Sequence, residues 1–178
     1  MQVEKDIYST FELNYDTIGF IPQNPFTSLS MMTKIKDQFF CSNEKKEEVL
    51  KLVDLDISLL NKFPSQLSGG QIQRIVIAIA LSRNIKLLLL DEPTTALDEE
   101  NKTNIINLIN DLKSRLNILI LFVTHDIESI KDICNEIIIL KDGQVIEKGF
   151  TIDVLSTPKE DYTKKLINST FKNKQFRN

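Results

Sequence analysis

Two adjacent carboxylates, Asp91 and Glu92, follow four consecutive leucines, Leu87 to Leu90, and precede Pro93. A short continuous apolar run reads as a rigid buried strand, and such a strand holds whatever follows its tip in a fixed place. One carboxylate there can hold Mg²⁺ through water. Its neighbour can orient and partly deprotonate an attacking water in a phosphoryl transfer. A core strand that merely ends in an acidic turn has the same local sequence, so this pair alone does not decide.

Leu67-Ser68-Gly69-Gly70-Gln71 is the second group. Two glycines let the backbone come close to a ligand. The apolar spacing that follows predicts a helix beginning near Gly69, and a helix start offers free N–H groups and partial positive charge to a phosphate. Ser68 adds a hydroxyl. A glycine-containing turn before any helix would look similar. His125 is the sole histidine; it follows a second apolar run, where it could meet a γ-phosphate or the attacking water. Gln23 sits in the loop Gln23-Asn24-Pro25-Phe26-Thr27-Ser28, where an amide could bridge Mg²⁺ or water.

The elements that must position these groups are legible as periodicity. Ile18 to Ile21 reads as a strand ending at Pro22. Residues from about Thr33 to Leu60 have a helical pattern with Val49, Leu50 and Val53 as the apolar stripe. Ile72, Ile75, Val76, Ile79 and Ala80 fall at helical spacing after Gly69, with Ile77, Ala78 and Leu81 making the helix apolar nearly all round. Lys86 to Leu90 and Ile118 to Val123 read as strands of a parallel sheet covered on both faces. Between them Asp98 caps a helix with Ile105, Leu108, Ile109, Leu112 and Leu116 on its core side. A helix at about Ile127 to Ile133 follows, then two strands, Glu136 to Leu140 and Gln144 to Glu147, around the turn Asp142-Gly143. Helical segments near Ile152 to Leu155 and Lys159 to Asn168 come last, with a basic end expected to fray from Phe171. Strands alternating with helices make this an α/β fold, and Gln23, Asp91, Glu92 and His125 all fall at strand carboxyl ends, where such sheets place their chemistry.

Composition narrows the partners. The 178 residues suit one domain, and 42% hydrophobic residues suffice for a core. A formal charge of −3 argues against general nucleic-acid binding. Cys41 and Cys134 lack ligand-spaced neighbours and read as reduced thiols. No apolar run approaches the ~20 residues of a membrane helix, so work at a membrane would pass through a partner.

In order and distance, Gln23, Leu67–Gln71, Asp91-Glu92, Ala96-Leu97-Asp98 and His125 match one pattern. Over residues 15–168 the chain closely resembles the ATP-binding cassette (ABC) ATPases, in which these are the Q-loop, signature motif, Walker B strand, D-loop and switch histidine. The resemblance implies an ABC-type P-loop NTPase fold, with a mainly parallel sheet flanked by helices and a short helical subdomain at about 32–66. Residues 1–168 would be a partial nucleotide-binding domain, lacking N-terminal strands, and 169–178 a basic tail. It implies ATP and Mg²⁺ as ligands. Asp91, with Gln23, would serve Mg²⁺, Glu92 would be the general base and His125 would sense the γ-phosphate. Ser68, Gly69, Gly70 and Gln71 would bind ATP held by a second ABC subunit, in a homo- or heterodimer, and Asp98 would communicate across that dimer. Gln23 would couple nucleotide to transmembrane permease subunits, with a solute-binding protein involved indirectly. The chain would then sit in the cytoplasm on the inner face of the membrane. Pro22 to Leu29, Phe63-Pro64-Ser65-Gln66, Pro93 to Asp98 and Pro158 to Thr163 further resemble the oligopeptide, dipeptide and nickel importer branch.

The family grips phosphate with GxxxxGK[ST]. The five glycines here are Gly19, Gly69, Gly70, Gly143 and Gly149, and none can form that loop. The expectation is that the chain alone neither grips nor hydrolyses ATP. A fragment of a longer sequence is the favoured account; a degenerate subunit lending only its signature motif to a partner's ATP is the alternative. Two buried strands of the sheet would go with the missing part, so an isolated chain should expose apolar edges and be poorly soluble. Chromosome-maintenance relatives would need long coiled coils between Gln23 and Leu67, and translation-associated ones a second cassette. Neither is present in these residues.

Overall fold

The four leucines become the middle of a parallel sheet. The computed structural model describes residues 15–172, which divide into two compact units, up to Val123 and from Thr124 onward. In the first unit β1 (Ile18–Ile21), β2 (Leu87–Asp91) and β3 (Leu119–Val123) pair in parallel in that order. Ile21 stands opposite Leu90, and Asp91 opposite Val123. The carboxyl ends of the three strands therefore share one edge.

Side chains alternate between the sheet's two faces. Gly19, Ile21, Leu88 and Leu90 point one way and are buried. The helix α2 (Gly69–Leu81) contacts β1, with nine of its thirteen residues buried as the all-round apolar pattern predicts. The approach is close: a Cβ on Gly19 would lie 3.0 Å from Ile85 Cδ1 and 3.2 Å from Ala80 Cβ. Each Ile or Leu fully buried on this side contributes about 1.5–3 kcal/mol relative to exposure.

The other face departs from the expectation of a sheet covered on both sides. Leu119, Leu121 and Val123 are 50%, 51% and 47% exposed, and Phe20 is exposed beside them. Register explains the grouping, since Phe20, Leu89 and Leu121 lie in one row across the sheet. A run of consecutive apolar residues records that both faces are hydrophobic. It does not record which of them is covered within these residues.

The segment between β1 and α2 is less helical than its pattern predicts. Only α1 (Asn43–Leu52) is α-helix; Ile35–Gln38 and Ile57–Asn61 are short 3₁₀ turns. Caps cut the segment into pieces. Ser42 Oγ accepts from the Lys45 N–H at 3.3 Å and starts α1, and Asp56 Oδ1 accepts from the Ser58 N–H at 2.8 Å and starts the later turn. Asp54, at φ 53°, takes the left-handed conformation just past the end of α1. The stripe itself is as expected: Val49, Leu50 and Val53 are buried.

The helix α3 (Glu99–Arg115) joins β2 to β3. Glu99 and Glu100 lie in its first turn and Lys113 and Arg115 in its last, as the helix dipole favours. Ile105, Leu108, Ile109 and Leu112 are buried; Leu116 instead takes the extended C-cap position and is half-buried.

The second unit is a hairpin with helices. β4 (Glu136–Lys141) and β5 (Gln144–Phe150) pair antiparallel around Asp142 and Gly143, whose φ values of 51° and 77° are those of a type I′ turn. The helix expected to Ile133 is shorter, α4 (Ile127–Ile130), although Ile127, Ile130 and Ile133 are all buried. α5 (Thr151–Ser156) and α6 (Asp161–Lys172) close the unit, α6 running past the expected Asn168. Residues 173–178 of the basic tail lie outside the described residues.

Candidate nucleotide-facing site

Two glutamines shape the approach to α2. Gln66 Oε1 accepts from the Phe63 N–H at 2.9 Å, closing the turn Pro64–Gln66. Gln71 Oε1 accepts from the Ser68 N–H at 3.1 Å while Ser68 Oγ accepts from the Gln71 N–H at 3.3 Å. That reciprocal pair is a capping box. Ser68 is exposed, Gly69 and Gln71 are half-buried and Gly70 is buried. The start of α2 thus shows solvent an anion-suited helix N-terminus beside a hydroxyl.

Asp91 and Glu92 stand at the sheet's carboxyl edge, both half-buried. The Glu92 N–H donates to the Val123 carbonyl oxygen at 2.8 Å, so its backbone is fixed to the end of β3. Its φ of 48° turns the chain sharply there. Thr95 Oγ1 donates to Glu92 Oε2 at 2.6 Å, which aims the carboxylate. Gln23 follows β1 at the same edge and is exposed; Asn24 Oδ1 accepts from the Phe26 N–H at 3.1 Å and shapes the loop after it. Among the described residues no three His, Cys, Asp or Glu groups cluster for a metal ion. One carboxylate and one amide oxygen at a strand edge fit Mg²⁺ that draws its remaining ligands from phosphate and water.

Asp98 caps α3, its Oδ1 accepting from the Asn101 N–H at 2.8 Å. The Asn101 side-chain amide donates to Oδ1 at 3.0 Å and to Oδ2 at 2.8 Å. The Asn101 backbone N–H first, and its side chain second, hold the Asp98 carboxyl below the usual range. Gln23, Ser68 to Gln71, Asp91, Glu92 and Asp98 all belong to the first unit. His125 belongs to the second and is exposed, one residue before Asp126, whose Oδ1 caps α4.

Arg74 and Asn101 carry no motif signal, and their approach to Val53 and Gly70 emerges only in three dimensions. Thr95 and Asn101 each had a local cue, a hydrogen-bonding side chain three residues after a carboxylate.

A family model described as ABC transporter matches residues 3–95, more than half of the chain. The chain belongs to the ABC transporter family. Methionine import ATP-binding protein MetN from Streptococcus thermophilus is 38% identical over 161 residues, covering 85% of this chain and 45% of that protein. MetN from Bacillus subtilis is 42% identical over 124 residues, covering 70% of this chain and 36% of that protein. The chain therefore spans less than half the length of these curated relatives. Among solved structures, cbiO1 from Clostridium perfringens, part of the ABC transporter complex cbiONQ, is similar with a TM-score of 0.71 at 28% identity, covering 80% of this chain and 60% of that one. The ATP-binding cassette MJ0796, solved as a dimer in a post-hydrolysis state with ADP and Pi, gives 0.64 at 31% identity, covering 79% and 68%. The parallel sheet flanked by helices is that of an ABC ATP-binding domain.

Proposed function

We propose that this chain is the ATP-binding part of an ABC importer and works as one half of a pair of ABC subunits. The observation that carries the reading is the exposed, capped start of α2, where Ser68 and the first N–H groups of the helix are held ready for phosphate. That MJ0796 was solved as a dimer with ADP and Pi supports nucleotide shared between two such domains.

Each side chain then has a task. Ser68 donates its hydroxyl, and Gly69, Gly70 and Gln71 their backbone, to ATP gripped by the second subunit. Glu92, aimed by Thr95, accepts a proton from the attacking water. Asp91 with Gln23 would hold Mg²⁺, which when bound neutralises phosphate charge. His125 contacts the γ-phosphate, and Asp98 senses the facing subunit. Gln23 and its loop report to the permease. No helix among the described residues is long and apolar enough to cross a membrane, which supports attachment to the membrane through those permease subunits. Residues at about 32–66 serve as the helical subdomain.

The cargo has two supported readings. The segments Pro22–Leu29 and Pro158–Thr163 favour peptides or nickel and other metal chelates. The MetN relatives favour methionine. Uptake by cells carrying the assembled transporter, with labelled dipeptide, nickel and methionine in parallel, separates them.

The activity is tested on the assembled transporter by ATP turnover. Glu92→Gln and Ser68→Arg should each lower it at least tenfold. Loss with Ser68→Arg alone would mean that the chain lends only its signature motif. Loss with neither would overturn the reading.

A further inference from the structure

Asn101 joins two groups that the sequence keeps 28 residues apart, Gly70 and Asp98. Its side-chain amide nitrogen donates to both carboxylate oxygens of Asp98, at 3.0 and 2.8 Å. Its amide oxygen and Cγ lie over the Cα of Gly70, where an added Cβ would collide with them. At the neighbouring Gly69 an added Cβ would meet only ordinary contact, 3.8 Å from Leu97 Cδ2, so the crowding is specific to Gly70. Gly70 is buried and Asn101 half-buried, while Asp98 remains exposed.

We propose that Asn101 is a positioning residue that locks the Asp98 carboxylate to the Gly69-Gly70 turn, so that the two groups facing the second subunit move as one. The inference rests on the proposed pairing of two ABC subunits across Ser68–Gly70 and Asp98. The physical reason lies in the donor geometry. Asp98 is already the cap of α3 through one oxygen, which leaves its carboxylate free to swing about that single bond. The two further bonds from Asn101 fix the plane of the carboxylate. The same amide fills the space beside Gly70 that a Cβ would need, so a side chain at position 70 would displace it and, with it, the donor to the carboxylate. The site also needs glycine at position 70 for a reason besides ligand approach: the space of a side chain is already taken by Asn101.

The linkage is tested first on the chain itself by carboxyl NMR titration of Asp98. Asn101→Leu removes the side-chain donors and should raise the Asp98 midpoint. Gly70→Ala places its new Cβ nearest to Asn101 and should raise it too, by displacing that side chain. An Asp98 midpoint unmoved by Gly70→Ala, in a protein of unchanged circular dichroism, overturns the linkage. In the assembled transporter, Asn101→Leu should lower ATP turnover about tenfold, the loss expected for bonds to a charged acceptor. In an Asp98→Asn background the same change should add little, because its effect passes through that carboxylate. Equal losses in both backgrounds would mean that Asn101 acts only on folding. Ser68→Arg in the same assay separates the two claims: if it lowers turnover while Asn101→Leu does not, the pairing stands and the positioning role falls.

Discussion

Arg74 Nη1 donates to the Val53 carbonyl oxygen at 2.7 Å, fastening the first half of α2 to the residue that caps α1. The same nitrogen reaches Asp54 Oδ2 at 3.3 Å. The two contacts differ in environment. The Arg74 side chain is 18% exposed, whereas that of Asp54 is 77% exposed. An exposed ion pair is worth under about 1 kcal/mol, while a charged donor to a part-buried carbonyl is worth about 1.5–3 kcal/mol. Arg74→Met should therefore lower unfolding stability by about 2 kcal/mol and Asp54→Ala by about 0.5 kcal/mol or less. Urea titration of both variants decides; equal losses would mean that the ion pair, not the carbonyl bond, holds α1 to α2.

Glu92 supplies a comparison between two substitutions at one place. Its φ of 48° is left-handed, a conformation that costs a residue with a Cβ about 1–2 kcal/mol. Glu92→Gly and Glu92→Ala both lose the carboxylate and its bond from Thr95. Only glycine is relieved of the strain, so Glu92→Gly should be the more stable of the two by about 1 kcal/mol after its greater unfolded-state entropy is counted. Thermal melting of the pair tests this. An alanine variant equal to or more stable than glycine would place the turn elsewhere in conformational space.

Some of this architecture was legible in residue order and some was not. The helix at Gly69–Leu81 and the strand at Leu87–Asp91 follow from apolar spacing, because a helix buried nearly all round and a central strand leave little freedom of assignment. The turn Asp142-Gly143 follows from local chemistry alone. The Thr33–Leu60 segment misleads because its charged residues fit a helix equally well whether it is one piece or three, and only the caps at Ser42 and Asp56 divide it. At the site, the motif residues were legible because each sits next to its own strand or helix end. Arg74 and Asn101 were not, since what they do depends on Val53 and Gly70, which are distant in sequence.

Acid should weaken the fold through identifiable carboxylates. Asp98 is held below its ordinary 3.8 by the Asn101 N–H first. Glu147 is held below 4.5 first by the Lys159 N–H, accepted at 3.0 Å, with the Glu160 N–H at 3.2 Å, which ties β5 to the segment entering α6. A depressed folded pKa means that the stabilisation is complete above the unfolded value and is lost as pH falls through the folded one. Melting temperature should thus hold steady down to about pH 5 and decline below about pH 4.5. Glu147→Gln should flatten part of that decline. A melting temperature that rises on acidification would contradict the direction of both shifts.

The uncovered sheet face should make the isolated chain associate with itself. Phe20 on β1, half-buried Leu89 on β2, and Leu119, Leu121 and Val123 on β3 lie on one face of the three-stranded sheet as an apolar surface. Such a patch on the described sheet favours aggregation. Leu121→Lys places a charge at a half-exposed position, where its long stem can still lie on the sheet. Light scattering at matched concentration should fall sharply in Leu121→Lys, with stability changed by about 1 kcal/mol or less. Scattering that is unchanged would assign the association to some other surface.

Gln73 is the polar group with the clearest cost. It lies in α2 among Ile72, Val76 and Ile77, is fully buried, and among the described residues neither its Nε2 nor its Oε1 has a hydrogen-bond partner. An unpaired buried amide costs about 1–3 kcal/mol, because the water it gave up is not replaced. Methionine has nearly the same length and flexibility and no polar tip, so it can take the space without a new cavity. Gln73→Met should raise stability by about 1–2 kcal/mol, which for a chain of this size is a rise in melting temperature of about 2–8 °C. Gln73→Ala should instead destabilise, since the gain from removing the amide is smaller than the cost of the hole it leaves. Calorimetry on both variants separates the amide from the cavity. If Gln73→Met melts lower than the parent, the amide is hydrogen-bonded in solution and belongs to a polar network that helps to hold α2 in place.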